Sequence, residues 1–184
     1  MKMLPGMVVI NPCDYNQTKQ ATLAAAEYEG PVYLRFGRPV VPVFIPEDMP
    51  FEIGKGILLQ EGKDVTIVAT GHLVWESLLA AEELEKEGIS CEVINIHTIK
   101  PLDEEIILKS VEKTGKIVTA EEHNYLGGLG ESVAGVLARK RPTPQEFVAV
   151  NDTFGESGTP AELMHKYEID AEAVVKAVKR VLAR

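Results

Sequence analysis

A chain of 184 residues, 45% hydrophobic and 26% charged, has room for one full domain or a domain plus a fragment, with an ordinary soluble globular balance. Its net charge of −9 argues against nucleic-acid or anionic-membrane binding, which depends on Lys and Arg neutralising phosphates. Two widely spaced cysteines, Cys13 and Cys91, give neither a zinc pattern nor a disulfide framework; no apolar run reaches membrane-spanning length, and Pro5 and Gly6 interrupt any signal-peptide core, so a cytoplasmic location is expected.

The first elements predict a single βαβ unit: a strand at Met7–Ile10, a helix from about Asp14 to Glu27, and a strand at Val32–Phe36. One such unit leaves apolar surface open, so residues 1–38 read as the C-terminal remnant of a domain. Residues 39–50 hold Pro39, Pro42, Pro46 and Pro50, a density that reads as an extended linker. Residues 51–184 read as a complete second domain.

Within that second part, Val65–Ala69, Cys91–Ile96 and Lys116–Ala120 are short β-branched runs typical of buried strands, and Phe147–Val150 reads as a fourth. Helical spacing fills the gaps. Val74, Leu78, Ala81 and Leu84 share one face; Asp103 is placed to cap a helix carrying Ile107 and Val111; Val133, Val136 and Leu137 mark a third; Asp170 is placed to cap the last, with Val174, Val178 and Val181 inward. Strand–helix alternation predicts an α/β fold, a three-layer, mostly parallel sheet covered on both faces. Ligands of such sheets gather at the carboxyl ends of the strands. Here those ends fall at Thr70–Gly71, His97, Glu121–His123 and Asn151–Asp152.

The densest chemistry lies in Lys116–Ser132, where a strand runs into Glu121, Glu122, His123 and then Gly127, Gly128 and Gly130. A histidine among carboxylates suits acid–base work; the same residues suit a polar cluster that caps the next helix. The glycines suit an anion cradle at a helix start, or a tight turn with close packing, but match neither the dinucleotide fingerprint nor the phosphate loop. Arg35 and Arg38 flank Gly37 at a strand end, where guanidinium groups suit phosphate recognition; surface arginines beside a linker are the alternative. In Asn151–Pro160, Glu156 and Ser157 suit ligand or partner contact, or simply a structured loop. His72, His97 and His165 have no metal-ligand spacing.

Taken in order, LPGMVVINPCD, GPVYLRFGRP, DVTIVATG, AAEELEKEGI, CEVINIHTIKPLD, KIVTAEEHNYLGGLGESVA and DTFGESGTPAELMHKYEID resemble the C-terminal part of a transketolase nearly end to end. The TIKPLD and EEH…GGLG segments are most similar to the split bacterial and archaeal type, whose C-terminal section is a separate chain. The resemblance implies that residues 1–38 are the tail of a pyrimidine-binding domain and 51–184 a transketolase C-terminal domain. It further implies an enzyme of the thiamine diphosphate superfamily, with magnesium, moving a two-carbon ketol unit between sugar phosphates, as in the pentose phosphate pathway. The cofactor would supply the carbanion chemistry and the protein the positioning.

On the same ground Arg35 corresponds to the family's substrate-phosphate residue, and His123, Glu122 and Arg38 stand at a site or interface edge. The diphosphate- and metal-binding motif, GDG…N, has no counterpart here. No cofactor-binding or metal-binding residue is therefore assigned to this chain, which is expected to be inactive alone. Its expected partners are an N-terminal transketolase section and further copies in a dimer or higher oligomer. Two alternatives share the pattern: a non-catalytic assembly module, and the β-subunit of a 2-oxoacid dehydrogenase.

Overall fold

The computed structural model describes residues 1–184 as two sheets that share a seam. The larger sheet has five strands in the order β3(Ile57–Gln60), β5(Cys91–Asn95), β4(Val65–Ala69), β7(Ile117–Asn124) and β8(Gln145–Val150). Its four later strands run parallel, with β4 between β5 and β7; β3 lies antiparallel on the β5 edge. Because side chains alternate across a strand, Ile67 and Ala69 face one side and Val68 the other. Both sides are covered. Helices α2(Leu73–Lys86) and α6(Ala171–Leu182) pack on the first face with Leu73, Leu84, Val174 and Val178. Helices α3(Glu104–Thr114) and α4(Leu129–Lys140) pack on the second with Ile107, Val111, Val133 and Leu137. This is the expected three-layer arrangement. The side chains of Asp103 and Asp170 cap α3 and α6, accepting from Ile106 and Ala173 N–H. A short helix, α5(Pro160–Lys166), starts on a Thr159–Glu162 capping box.

The smaller sheet holds β1(Val8–Ile10), β2(Val32–Leu34) and β6(Thr98–Lys100) in the order β2-β1-β6. Strand β2 runs parallel to β1, joined by α1(Tyr15–Glu27), and β6 runs antiparallel on the other side. The βαβ unit expected to stand alone thus borrows a third strand from beyond the proline-rich segment. Val8, Ile10 and Ala21 form its core, against which Phe51 and Ile53 also pack.

Residues 39–50 have no regular secondary structure, yet they are held. Asp14 caps α1 with Oδ1 and accepts the N–H groups of Phe44 and Ile45 on Oδ2, at 2.9 and 2.8 Å. Asn16 and Gln20 donate to Ile45, Glu47 and Met49 carbonyls. The segment runs along α1 as a strap, and Ile45 is buried in the larger core.

Candidate functional site

A cleft of about 330 Å³ opens between the two sheets. Asn11 enters it from the end of β1, Tyr33 and Arg35 from β2, Thr70 from β4, and Glu121 and His123 from β7. The strand ends converge because the seam is hydrogen-bonded: Asn11 N–H donates to His97 O at 2.8 Å, and Thr70 Oγ1 to Asn11 O at 3.3 Å. Gly71 makes that approach possible. It has φ of +57°, and a Cβ there would lie 2.5 Å from Asn11 Nδ2.

Arg35 continues from β2, its N–H donating to Ile10 O at 2.9 Å. Its Nη2 donates to Glu122 O at 2.9 Å, fixing the guanidinium against β7. One protein bond leaves most of its five N–H donors to face the cleft, the arrangement suited to a tetrahedral oxyanion. His123 is exposed at the rim. A carbonyl can only accept, so its Nδ1 donates to Asn124 O at 2.7 Å, and the neutral ring then offers Nε2 as an acceptor. Glu122 contributes its carbonyl to Arg35. Arg38 lies exposed outside the cleft lining, so the two arginines are not brought together.

Glu121 has a structural task. Buried to 2% exposure, its Oε2 accepts Leu129 N–H at 2.7 Å and its Oε1 accepts Gly130 N–H at 2.8 Å. Burial pushes its pKa up, and the two N–H donors partly offset this. A Cβ at Gly128 would overlap this carboxylate, and one at Gly130 would overlap the Phe147 ring. Gly127 N–H donates to Glu131. The glycine-rich turn is therefore an intramolecular anion site, with the protein's own carboxylates as the anions. Across the cleft, Lys2 Nζ donates to Gly128 O at 2.9 Å and Ser132 Oγ at 2.8 Å.

These residues do not fit a diphosphate–magnesium group. The amides of the one glycine-rich helix start are committed to Glu121 and Glu131, and no group of three His, Cys, Asp or Glu side chains is placed to hold a metal ion.

The other strand-end residues go elsewhere. His97 is fully buried in the seam, stacked on Phe51 with ring centroids 4.3 Å apart, and burial lowers its pKa to about 4. His72 faces Glu76 at the start of α2, and His165 pairs with Asp170. Glu156 is ion-paired to Lys166 on an exposed loop, and Ser157 is exposed with it. Lys2, Tyr33 and Asn11 are cleft residues that sequence reading missed. Asn11, as the residue following a strand, carried a positional signal; Lys2 carried none, because its partners lie more than a hundred residues away.

The family model described as "Transketolase, C-terminal domain" matches residues 54–174. A 6-deoxy-6-sulfo-D-fructose transketolase subunit, SqwH, of Clostridium sp. (strain MSTE9) is 45% identical over the whole of this chain and 57% of its own length. An apulose-4-phosphate transketolase subunit of Phocaeicola vulgatus is 37% identical over 96% of this chain and 56% of its own. Among solved structures, a split-gene transketolase described as an inactive β4 tetramer superposes with a TM-score of 0.97 at 49% identity, over all of this chain and 60% of its own. The chain spans a little over half the length of these curated relatives.

Proposed function

We propose, for a chain that belongs to the transketolase family and carries its C-terminal domain, that it is the C-terminal section of an enzyme transferring a two-carbon ketol unit between sugar phosphates or their anionic analogues. Thiamine diphosphate and magnesium would be held by an N-terminal section, and the enzyme would assemble with further copies of this chain in the cytosol. The observation that carries this reading is Arg35, anchored by Glu122 O with its remaining donors facing the cleft between the sheets. The relatives named above support it. One is named for a sulfo-sugar and one for a sugar phosphate, so both names carry a tetrahedral oxyanion. The relative described as a β4 tetramer supports self-association.

Calorimetric titration of the chain with thiamine diphosphate and magnesium, with and without the candidate N-terminal section, tests the assignment. Heat only in the presence of that section is expected, followed by ketol transfer in an assay on sugar phosphates. Tight binding or turnover by this chain alone would sink the division of labour. Turnover of 2-oxoacids instead of sugar phosphates would move the chain to the dehydrogenase β-subunits.

A further inference from the structure

The larger sheet ends in two edges of different character. On the β3 edge, the register with β5 shifts between Leu58 and Gln60, an irregularity that disrupts further pairing. On the β8 edge, Gln145–Val150 contains no proline and no lysine, and its register with β7 is regular from Gln145 to Val148.

The orientation of the β8 backbone follows from the ladder. Ile117 N–H donates to Pro144 O, Thr119 stands opposite Phe147, and Tyr125 N–H donates to Val150 O. In a parallel pair the bonding residues alternate, so the even-numbered residues of β8 face β7. Phe147 and Ala149 turn both N–H and C=O outward. Only Gln145, at the strand's start, has its outward carbonyl covered, by Arg184 Nη1 at 3.4 Å.

Directly along this edge runs a groove of about 430 Å³, with Ala149 on one wall, Ala173 and Lys176 of α6 on the other, and Tyr125 and Tyr167 also lining it. Most charges of this region are already paired within the chain, Glu146 with Arg180 and Arg184, and Lys176 with Glu172; Glu168, which also lines the groove, is in no ion pair. An edge without a charged barrier, beside a groove with space for alternate side chains, has the form of a strand-addition site.

We propose that a second copy of this chain occupies it, β8 pairing antiparallel with β8 across a two-fold axis to give one continuous ten-stranded sheet. The fit is self-complementary, as a two-fold contact requires. With Val148 on the axis, Phe147 exchanges both hydrogen bonds with the second copy's Ala149, and Ala149 with the second copy's Phe147. The side chain alternation then sets the second copy's Val150 opposite Glu146, on the α6 side of the sheet and at the Arg180 end of the groove. The inference rests on the self-association part of the reading above.

Hydrogen exchange on the unsubstituted chain, alongside sedimentation equilibrium, tests it. The Phe147 and Ala149 amides should be protected in the associated chain and lose roughly tenfold or more of that protection on dilution to monomer. Ala149→Pro should abolish the association while preserving the circular dichroism spectrum. The Ala149 N–H is not used in the β7 ladder, and proline is tolerated on edge strands. If Ala149→Pro fails to fold, the exchange result on the unsubstituted chain decides alone. Association that persists in a folded Ala149→Pro, or protection of these amides that is unchanged by dilution, overturns the edge assignment and leaves the family reading intact. A chain that is monomeric at every concentration overturns the self-association reading itself. Protection that appears only on adding the N-terminal section assigns the edge to that partner and overturns pairing between copies.

Discussion

Glu121 is a carboxylate that holds the glycine-rich turn rather than working on a substrate. Removing it leaves the Leu129 and Gly130 N–H groups buried without an acceptor. Glu121→Ala is therefore expected to cost about 2–4 kcal/mol, measured by urea unfolding. Glu121→Gln keeps one acceptor oxygen and should fall between that variant and the parent. Arg35 is a different case, because its donors face open space. In the proposed assembly with an N-terminal section, Arg35→Ala should raise KM for a sugar phosphate by roughly tenfold to a hundredfold, with unfolding stability little changed. Arg35→Lys should recover only part of that, since an ammonium lacks the planar fork. An unchanged KM in Arg35→Ala would remove it from the site.

His97 gives the molecule a specific acid sensitivity. It is buried neutral, its pKa lowered from 6.5 to about 4 by burial, while in the unfolded chain it titrates near 6.5. The unfolded state thus binds the proton first as pH falls. The contribution is full above pH 6.5 and is lost progressively down to about pH 4, a difference on the order of 3 kcal/mol. His97→Gln, neutral throughout, should flatten the stability profile across that window in urea titrations. A profile identical to the parent's would refute the assignment.

At the scale of elements, the strap of residues 39–50 depends on Asp14, whose carboxylate serves both α1 and two strap amides. Asp14→Ala should destabilise by about 2–4 kcal/mol and expose the strap to limited proteolysis, with new cuts mapped by mass spectrometry to residues 39–50. Proline density predicts an extended course; docking along α1 was invisible, because it is made by side chains on another element. The same division holds for the strands. β4, β5 and β7 were legible as continuous β-branched runs, since each is buried on both faces. β3 and β6 are four and three residues long and half-buried, so no periodicity marks them. The cleft was legible in proportion to how local its signals are. Arg35 and His123 stand at or near strand ends, whereas Glu121's role as a cap required knowing that Leu129 and Gly130 return to it.

At the scale of the whole molecule, the smaller sheet takes β6 from beyond the strap, and the strap and the buried His97–Phe51 stack tie it to the larger sheet. The chain should therefore unfold as one cooperative unit. Its single tryptophan, Trp75, lies 5.5 Å from the Phe44 ring of the strap and reports on that seam. Fluorescence and far-ultraviolet circular dichroism should give coincident urea transitions. A fluorescence change that precedes the loss of secondary structure would show the strap peeling off first.

The loan of β6 to the smaller sheet also bears on where this polypeptide can be severed. Composition marks the proline-rich segment as the natural place to cut, yet a break there would strand β1 and β2 without their third neighbour while leaving a bare β6 on the other piece. Two such pieces, co-expressed, have every reason to find each other again. The joint that looks most dispensable on paper is, in three dimensions, the place where the halves would be most strongly drawn to rejoin.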